Sequence, residues 1–297
     1  MKMNNVHEDV EARNEDRFGI VRISKQKHPN GERLKINGQG IAFFQPQILE
    51  SAEFFEEIDT DNMCTRYWIN LFTDPKVMVE IILVSSENLD YLADKNTGSA
   101  KVSFCQITSE ADLAASYKEI SMYFRGSHTL KASDYSELRK NSSNSQFITL
   151  DRGGLAVVGS DLVGFQRYLL CLGLAVAYEH KLSSFLLKMS ESERDKQIET
   201  YESLCEFLLH NYSRFPIKMQ SHEVSRVWGM ISEHYQLEGK REEVQLQMGN
   251  MNNLIQSKSA RLSDRRASIT NFCLGVIAIL ITVFSIAELP IWWSNFF

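Results

Sequence analysis

The chain has 297 residues, a net charge of −6 and 43% hydrophobic residues, with a mean hydropathy of −0.25. That size holds one large domain or two ordinary ones. The averages exclude a collagenous, a largely disordered or a disulfide-scaffold protein, and the acidic balance speaks against nucleic-acid binding, which needs a basic surface.

The first residues, Met1–Phe18, contain no apolar core of the kind a cleavable signal peptide needs. Residues 1–15 read as a tail and residues 16–160 as a mixed α/β unit. Short β-rich runs are Gly19–Ser24, Ile41–Phe44, Tyr67–Phe72, Val77–Val84 and Lys101–Ile107, with Gly31, Gly38 and Gly40 punctuating the early ones as turns. Glu53, Glu56, Glu57, Asp59 and Asp61 form the densest acidic patch, which reads as a solvated helix face. A divalent cation could bind at Glu56, Glu57, Asp59 and Asp61, because hard cations take several oxygen ligands. The pattern is not an EF-hand: Met63 stands where Asp or Asn is needed, and the turn glycine is missing. Ser109–Phe124 opens with a capping-box-like Ser-Glu-Ala-Asp and predicts a helix. Arg139–Gln146 reads as a polar loop leading to a hairpin around Asp151-Arg152-Gly153-Gly154.

Residues 161–220 read as a helical domain of antiparallel helices. The apolar run Tyr168–Tyr178 is too short to span a bilayer and predicts a buried core helix. Leu182, Phe185, Leu186 and Met189 keep the helical period, and Ile198, Tyr201, Cys205 and Leu208 continue it. Pro216 breaks the chain, and Ser221 caps a new start at Val224, Val227, Trp228 and Ile231. Residues 221–266 are expected to form a stalk helix, with Gly239 as a joint. The five cysteines, 64, 105, 171, 205 and 273, are odd in number and lack CxxC spacing, so they read as reduced packing residues.

Ala267–Ala287 contains 21 residues without a charge, eleven of them Leu, Ile, Val or Phe. As a helix it is about 31 Å long, close to the hydrocarbon thickness of a bilayer. A transmembrane helix is expected over 267–289. Lys258, Arg261, Arg265 and Arg266 crowd its N-terminal side, and Trp292 and Trp293 lie beyond it in the short tail 290–297. Positive residues stay in the cytoplasm and tryptophans favour the interface. The expected arrangement is a single-pass, tail-anchored protein of the inner (cytoplasmic) membrane, with the N-terminal body in the cytosol.

Counting in sevens, one seam position holds Met248, Ile255, Leu262, Ile269, Val276 and Val283. The other holds Val244, Met251, Lys258, Arg265, Phe272, Ile279 and Ile286. An unbroken heptad seam is best buried by copies of itself, so a homo-oligomeric coiled coil is expected. If the seam lines a pore, Lys258 and Arg265 form stacked cationic rings that favour anions or act as a gate.

A cytosolic α/β domain, antiparallel helices and a long stalk running into a C-terminal span resemble the CorA family of divalent-cation transporters. The stretch Asn211–Ile255 looks like the helical region before the stalk in bacterial CorA-like proteins. The resemblance covers residues 160–287 and lies in the layout. It implies a pentamer whose first membrane helix lines a pore. The family's Gly-Met-Asn signature after that helix is replaced here by Glu288-Leu289-Pro290-Ile291, and Gly249-Asn250-Met251-Asn252 lies on the stalk instead. No ion-binding residue is therefore carried over.

No Walker loop, GxGxxG, GxSxG or HExxH occurs, and His222-Glu223 has no second histidine at ligand spacing. The fold class is thus α+β, with no enzyme and no cofactor expected beyond a divalent cation. The expected function is a membrane-anchored oligomer whose cytosolic domain senses a signal and controls ion permeability. A non-conducting, tail-anchored scaffold is the alternative. The bilayer and a second copy are the expected partners, and no nucleic acid is.

Overall fold

A computed structural model of the chain describes residues 16–24, 31–36, 38–72, 76–94, 102–107, 113–140, 145–151, 154–159, 162–191 and 194–294. The strands are β1 (Arg17–Ser24), β2 (Glu32–Arg33), β3 (Lys35–Ile36), β4 (Gln39–Gly40), β5 (Ala52–Asp59), β6 (Cys64–Leu71), β7 (Val77–Ser85), β8 (Val102–Ile107), β9 (Ser136–Lys140), β10 (Ser145–Asp151) and β11 (Gly154–Val158). The helices are α1 (Pro46–Ser51), α2 (Leu89–Asp94), α3 (Leu113–Arg125), α4 (Leu162–Glu191), α5 (Arg194–Glu206), α6 (His222–His234) and α7 (Leu237–Ser294). A π-helical turn, Phe207–Asn211, follows α5. The fold is mixed α/β.

Nine strands form one sheet in the order β2-β5-β6-β7-β1-β8-β11-β10-β9, and β3 with β4 makes a separate hairpin. Neighbours in the sheet run antiparallel, save that β11 lies parallel to β8. A parallel pair needs a crossover, and α3 lies within that connection. Gly154 opens β11 at φ 145°, where a Cβ would stand 1.6 Å from the Ser103 carbonyl oxygen. Only glycine lets the two backbones approach that closely.

Strand β7 reads as an almost continuous apolar run, the mark of a strand covered on both faces. Ile82 and Val84 join Phe18, Ile20, Cys105 and Ile120 in a core under α2 and α3. Val79 and Ile81 alternate to the other face, beneath Gly173 of α4. Helix α4 is long and apolar enough to cross a membrane by composition, but 72% of its apolar window is buried. It is the central core helix, as the run Tyr168–Tyr178 predicts. Its Tyr178 hydroxyl donates to the Asn211 carbonyl at 2.9 Å and accepts from the Ser213 N–H at 3.0 Å, tying the π-turn to the core.

The chain divides into two compact units, Met1–Glu242 and Glu243–Phe297. The helices of residues 161–220, expected as a domain of their own, therefore belong to one unit with the sheet. Four local expectations are also corrected. The acidic patch lies on strand β5, paired with β2 and β6, and not on a helix face. Ile41–Phe44 forms only one isolated bridge, Phe44 to Ile217. Arg139, Lys140 and Gln146, read as loop, belong to β9 and β10. The stalk is two helices, parted at Tyr235-Gln236 and not at Gly239, with Gln236 held at φ 52°. Helix α3 begins at Leu113, and the capping-box residues expected before it lie outside the described residues. The hairpin expected around residues 151–154 is present as β10 paired with β11.

Candidate functional site

A cavity of about 320 Å³ lined by several polar and charged side chains lies where the first turns of α4 and α6 meet β10. Helix α4 contributes Val163, Gly164, Arg167 and Tyr168, and the approach to α6 contributes Gln220, Ser221, His222 and Glu223. Gln146 enters from β10. Its placement follows from strand alternation: Phe147 packs on the core under α3, so Gln146 points to the opposite face. The pairing with β9 shifts at this point, with Leu138 as the extra residue on β9, so the alternation along β10 is kept.

Helix α6 is held over the sheet edge by Arg226, whose guanidinium donates to the Glu137 carbonyl of β9 at 2.9 Å. Two residues further on, the Trp228 indole N–H donates to the Arg214 carbonyl at 3.2 Å. The segment before the helix is pinned by two backbone hydrogen bonds, from Gln45 N–H to Pro216 oxygen and from Lys218 N–H to Phe43 oxygen. These bonds set where the first turn of α6 points. Ser221 sits at the N-cap, as expected, but its hydroxyl makes no capping bond. The first N–H groups of a helix have no partner inside the helix, so they face the cavity mouth as donors. Within the cavity the Tyr168 hydroxyl donates to the Glu223 carboxylate. Gln146 is 7% exposed, and its Oε1 accepts no hydrogen bond among the described residues.

The acidic patch is split by strand alternation. Glu57 and Asp59 share a face with Arg66, at 3.9 and 3.0 Å. Glu56 lies on the other face, in a cavity shared with Tyr67, Gln166 and Arg17. Burial and the nearby Glu32 raise the Glu56 carboxyl above its usual range. Hydrogen bonds from Asn62 lower Asp59, with Arg66 adding to the effect. Asp61 lies in the exposed turn after β5. The four candidate ligands thus do not converge, and among the described residues no three acidic, histidine or cysteine side chains cluster to hold a metal.

All the seam and anchor residues named from the sequence, from Val244 to Trp293, fall in α7, a single helix of 58 residues. Val244 and Met251 are buried and Met248 is half-buried. Ile269, Phe272, Val276 and Ile279 are exposed, as are Leu274 and Ile277 off the seam. Arg261, Arg265 and Arg266 are exposed as well. The side chains of Ile255, Lys258, Leu262, Val283, Trp292 and Trp293 lie outside the described ones.

The sequence flagged His222-Glu223 only as an incomplete metal motif, and it passed over Gln146, Arg167 and Tyr168. The available signal was weak: a glutamine beside an apolar strand run, and an arginine breaking the apolar face of a core helix. No protein-family model, curated protein or solved structure matches this chain, so the CorA likeness rests on the layout of its elements alone.

Proposed function

We propose that the chain is a membrane-anchored protein in which residues 16–242 form a cytosolic sensing body. In this reading the far part of α7 lies in the bilayer and carries the seam of a homo-oligomer. One observation carries it: the 21-residue stretch Ala267–Ala287 has no charge, and its described large apolar side chains stand exposed. Full burial of such a side chain is worth about 1.5–3 kcal/mol, so a row of them in water is unfavourable and a hydrocarbon surround removes the cost. Leu274 and Ile277, off the seam, then meet lipid, while Ile269, Phe272, Val276 and Ile279 meet the copies. The cationic run from Lys258 to Arg266 keeps the body on the cytosolic side.

The CorA-like layout extends this reading to controlled ion permeability. The purified protein in liposomes is expected to pass protons or ions, measured with a trapped fluorescent indicator while divalent ions are varied. Arg265→Glu is expected to shift the preference from anions towards cations, since its ring lies on the seam. Absence of flux from the intact oligomer leaves the second reading, a non-conducting scaffold. That reading is favoured by Lys258 and Arg265, whose charges suit anchoring without a pore.

A further inference from the structure

We infer that the cavity between the first turns of α4 and α6 binds a small zwitterion, a molecule with an ammonium and a carboxylate close together, of which an α-amino acid is the simplest. The inference is independent of the membrane reading, because every residue it uses lies in the compact unit Met1–Glu242.

Two sets of groups line the cavity. The acceptors are Gln146 and Glu223. Gln146 is more than nine-tenths buried, and its Oε1 has no donor among the described residues, although buried polar atoms are nearly always partnered. Strand alternation places it there, on the face opposite Phe147. The Glu223 carboxylate accepts from the Tyr168 hydroxyl, and an ionised carboxylate has lone pairs for several donors. The donors are the exposed guanidinium of Arg167 and the first-turn N–H groups of α6, which the Ser221 side chain does not cap. The helix end adds partial positive charge.

This balance selects the ligand. A simple anion suits Arg167 and the helix end, but it is repelled by Glu223 and leaves the Gln146 oxygen unmatched. A simple cation suits Glu223 and Gln146, but it meets Arg167 and the positive helix end. A zwitterion satisfies both sets, with its ammonium on Gln146 and Glu223 and its carboxylate on Arg167 and the α6 N–H groups. The cavity, about 320 Å³, is roughly ten water volumes, the scale of a free amino acid.

The test is calorimetric titration of the full chain in detergent with each common L-amino acid, followed by the deaminated acid, the carboxyl-blocked amide and inorganic phosphate. At least one amino acid is expected to bind saturably, and its deaminated and amidated forms about tenfold or more weakly, as loss of a charged hydrogen bond implies. Gln146→Leu and Arg167→Glu are each expected to weaken binding by about tenfold. Arg167 is exposed, so its variant keeps the fold and decides the matter if Gln146→Leu does not fold. Three results overturn the inference: no amino acid binds, phosphate or the deaminated acid binds as well as the zwitterion, or folded Arg167→Glu binds like the unaltered chain.

Discussion

Glu80 lies in the middle of β7 at 2% exposure, and its carboxylate meets the Arg22 guanidinium of β1 at 2.6 Å. The two residues are register partners, so the ion pair bridges the strands at the centre of the sheet. A buried ion pair adds little over a well-packed apolar pair, but removing one partner strands the other charge. Arg22→Ala leaves the Glu80 carboxylate buried and is expected to cost about 3–5 kcal/mol, read from denaturant unfolding. A loss below about 1 kcal/mol, the worth of an exposed pair, contradicts this placement.

The tyrosines supply a second expectation at the same scale. Burial pushes Tyr67 up to about 12, with Glu56 adding to the rise and the hydrogen bond from Gln166 opposing it. Burial, with Glu238 beside it, pushes Tyr212 up to about 12 as well. Tyr123, Tyr178 and Tyr235 are driven higher still, mainly by burial. The folded chain therefore holds these protons more tightly than the unfolded chain, where tyrosine titrates near 10. The stabilisation is whole below about pH 10 and is lost as the pH rises through about 12. Tyrosinate absorbance is expected to lag behind that of a free tyrosine and to rise together with the loss of circular dichroism. A full tyrosinate signal near pH 10 with the fold intact contradicts the burial of these rings.

Among the elements, α4 has the strongest claim to organise the body. Gly173 lets it lie close on the sheet: a Cβ there would stand 2.9 Å from Ile69 Cδ1 and 3.4 Å from Ile81 Cδ1. Gly173→Val is expected to destabilise by about 1–3 kcal/mol through overpacking, seen as a lower denaturant midpoint with an unchanged slope. An unchanged midpoint contradicts the close approach. The apolar run of α4 was legible in the sequence because burial of most of that run repeats what its composition says. Strand β5 was not. Phe54, Phe55 and Ile58 fit a helical face as well as a strand, and only pairing of Phe55 with Trp68 and Glu56 with Tyr67 decides between them. Gln146 was hidden for a related reason. In a polar run it looks like loop, and its burial comes from α4 and α6, which are distant in sequence.

For the whole molecule, the sequence alone indicates the mixed α/β class, the core helix and a continuous heptad through α7. It does not indicate that the helices of residues 162–234 join the sheet in one unit, since that depends on which face each helix buries. The cavity by α6 is likewise a product of packing, with residues from β10, α4 and α6 meeting only in the folded chain. The central claim is that the apolar seam of α7 is covered by copies of itself in a membrane. The mass of the detergent-solubilised particle tests this most directly, by native mass spectrometry or light scattering corrected for detergent. The expected result is a defined multiple of the 34.1 kDa chain that dissociates in Ile255→Asp. A particle with the mass of one chain contradicts the claim.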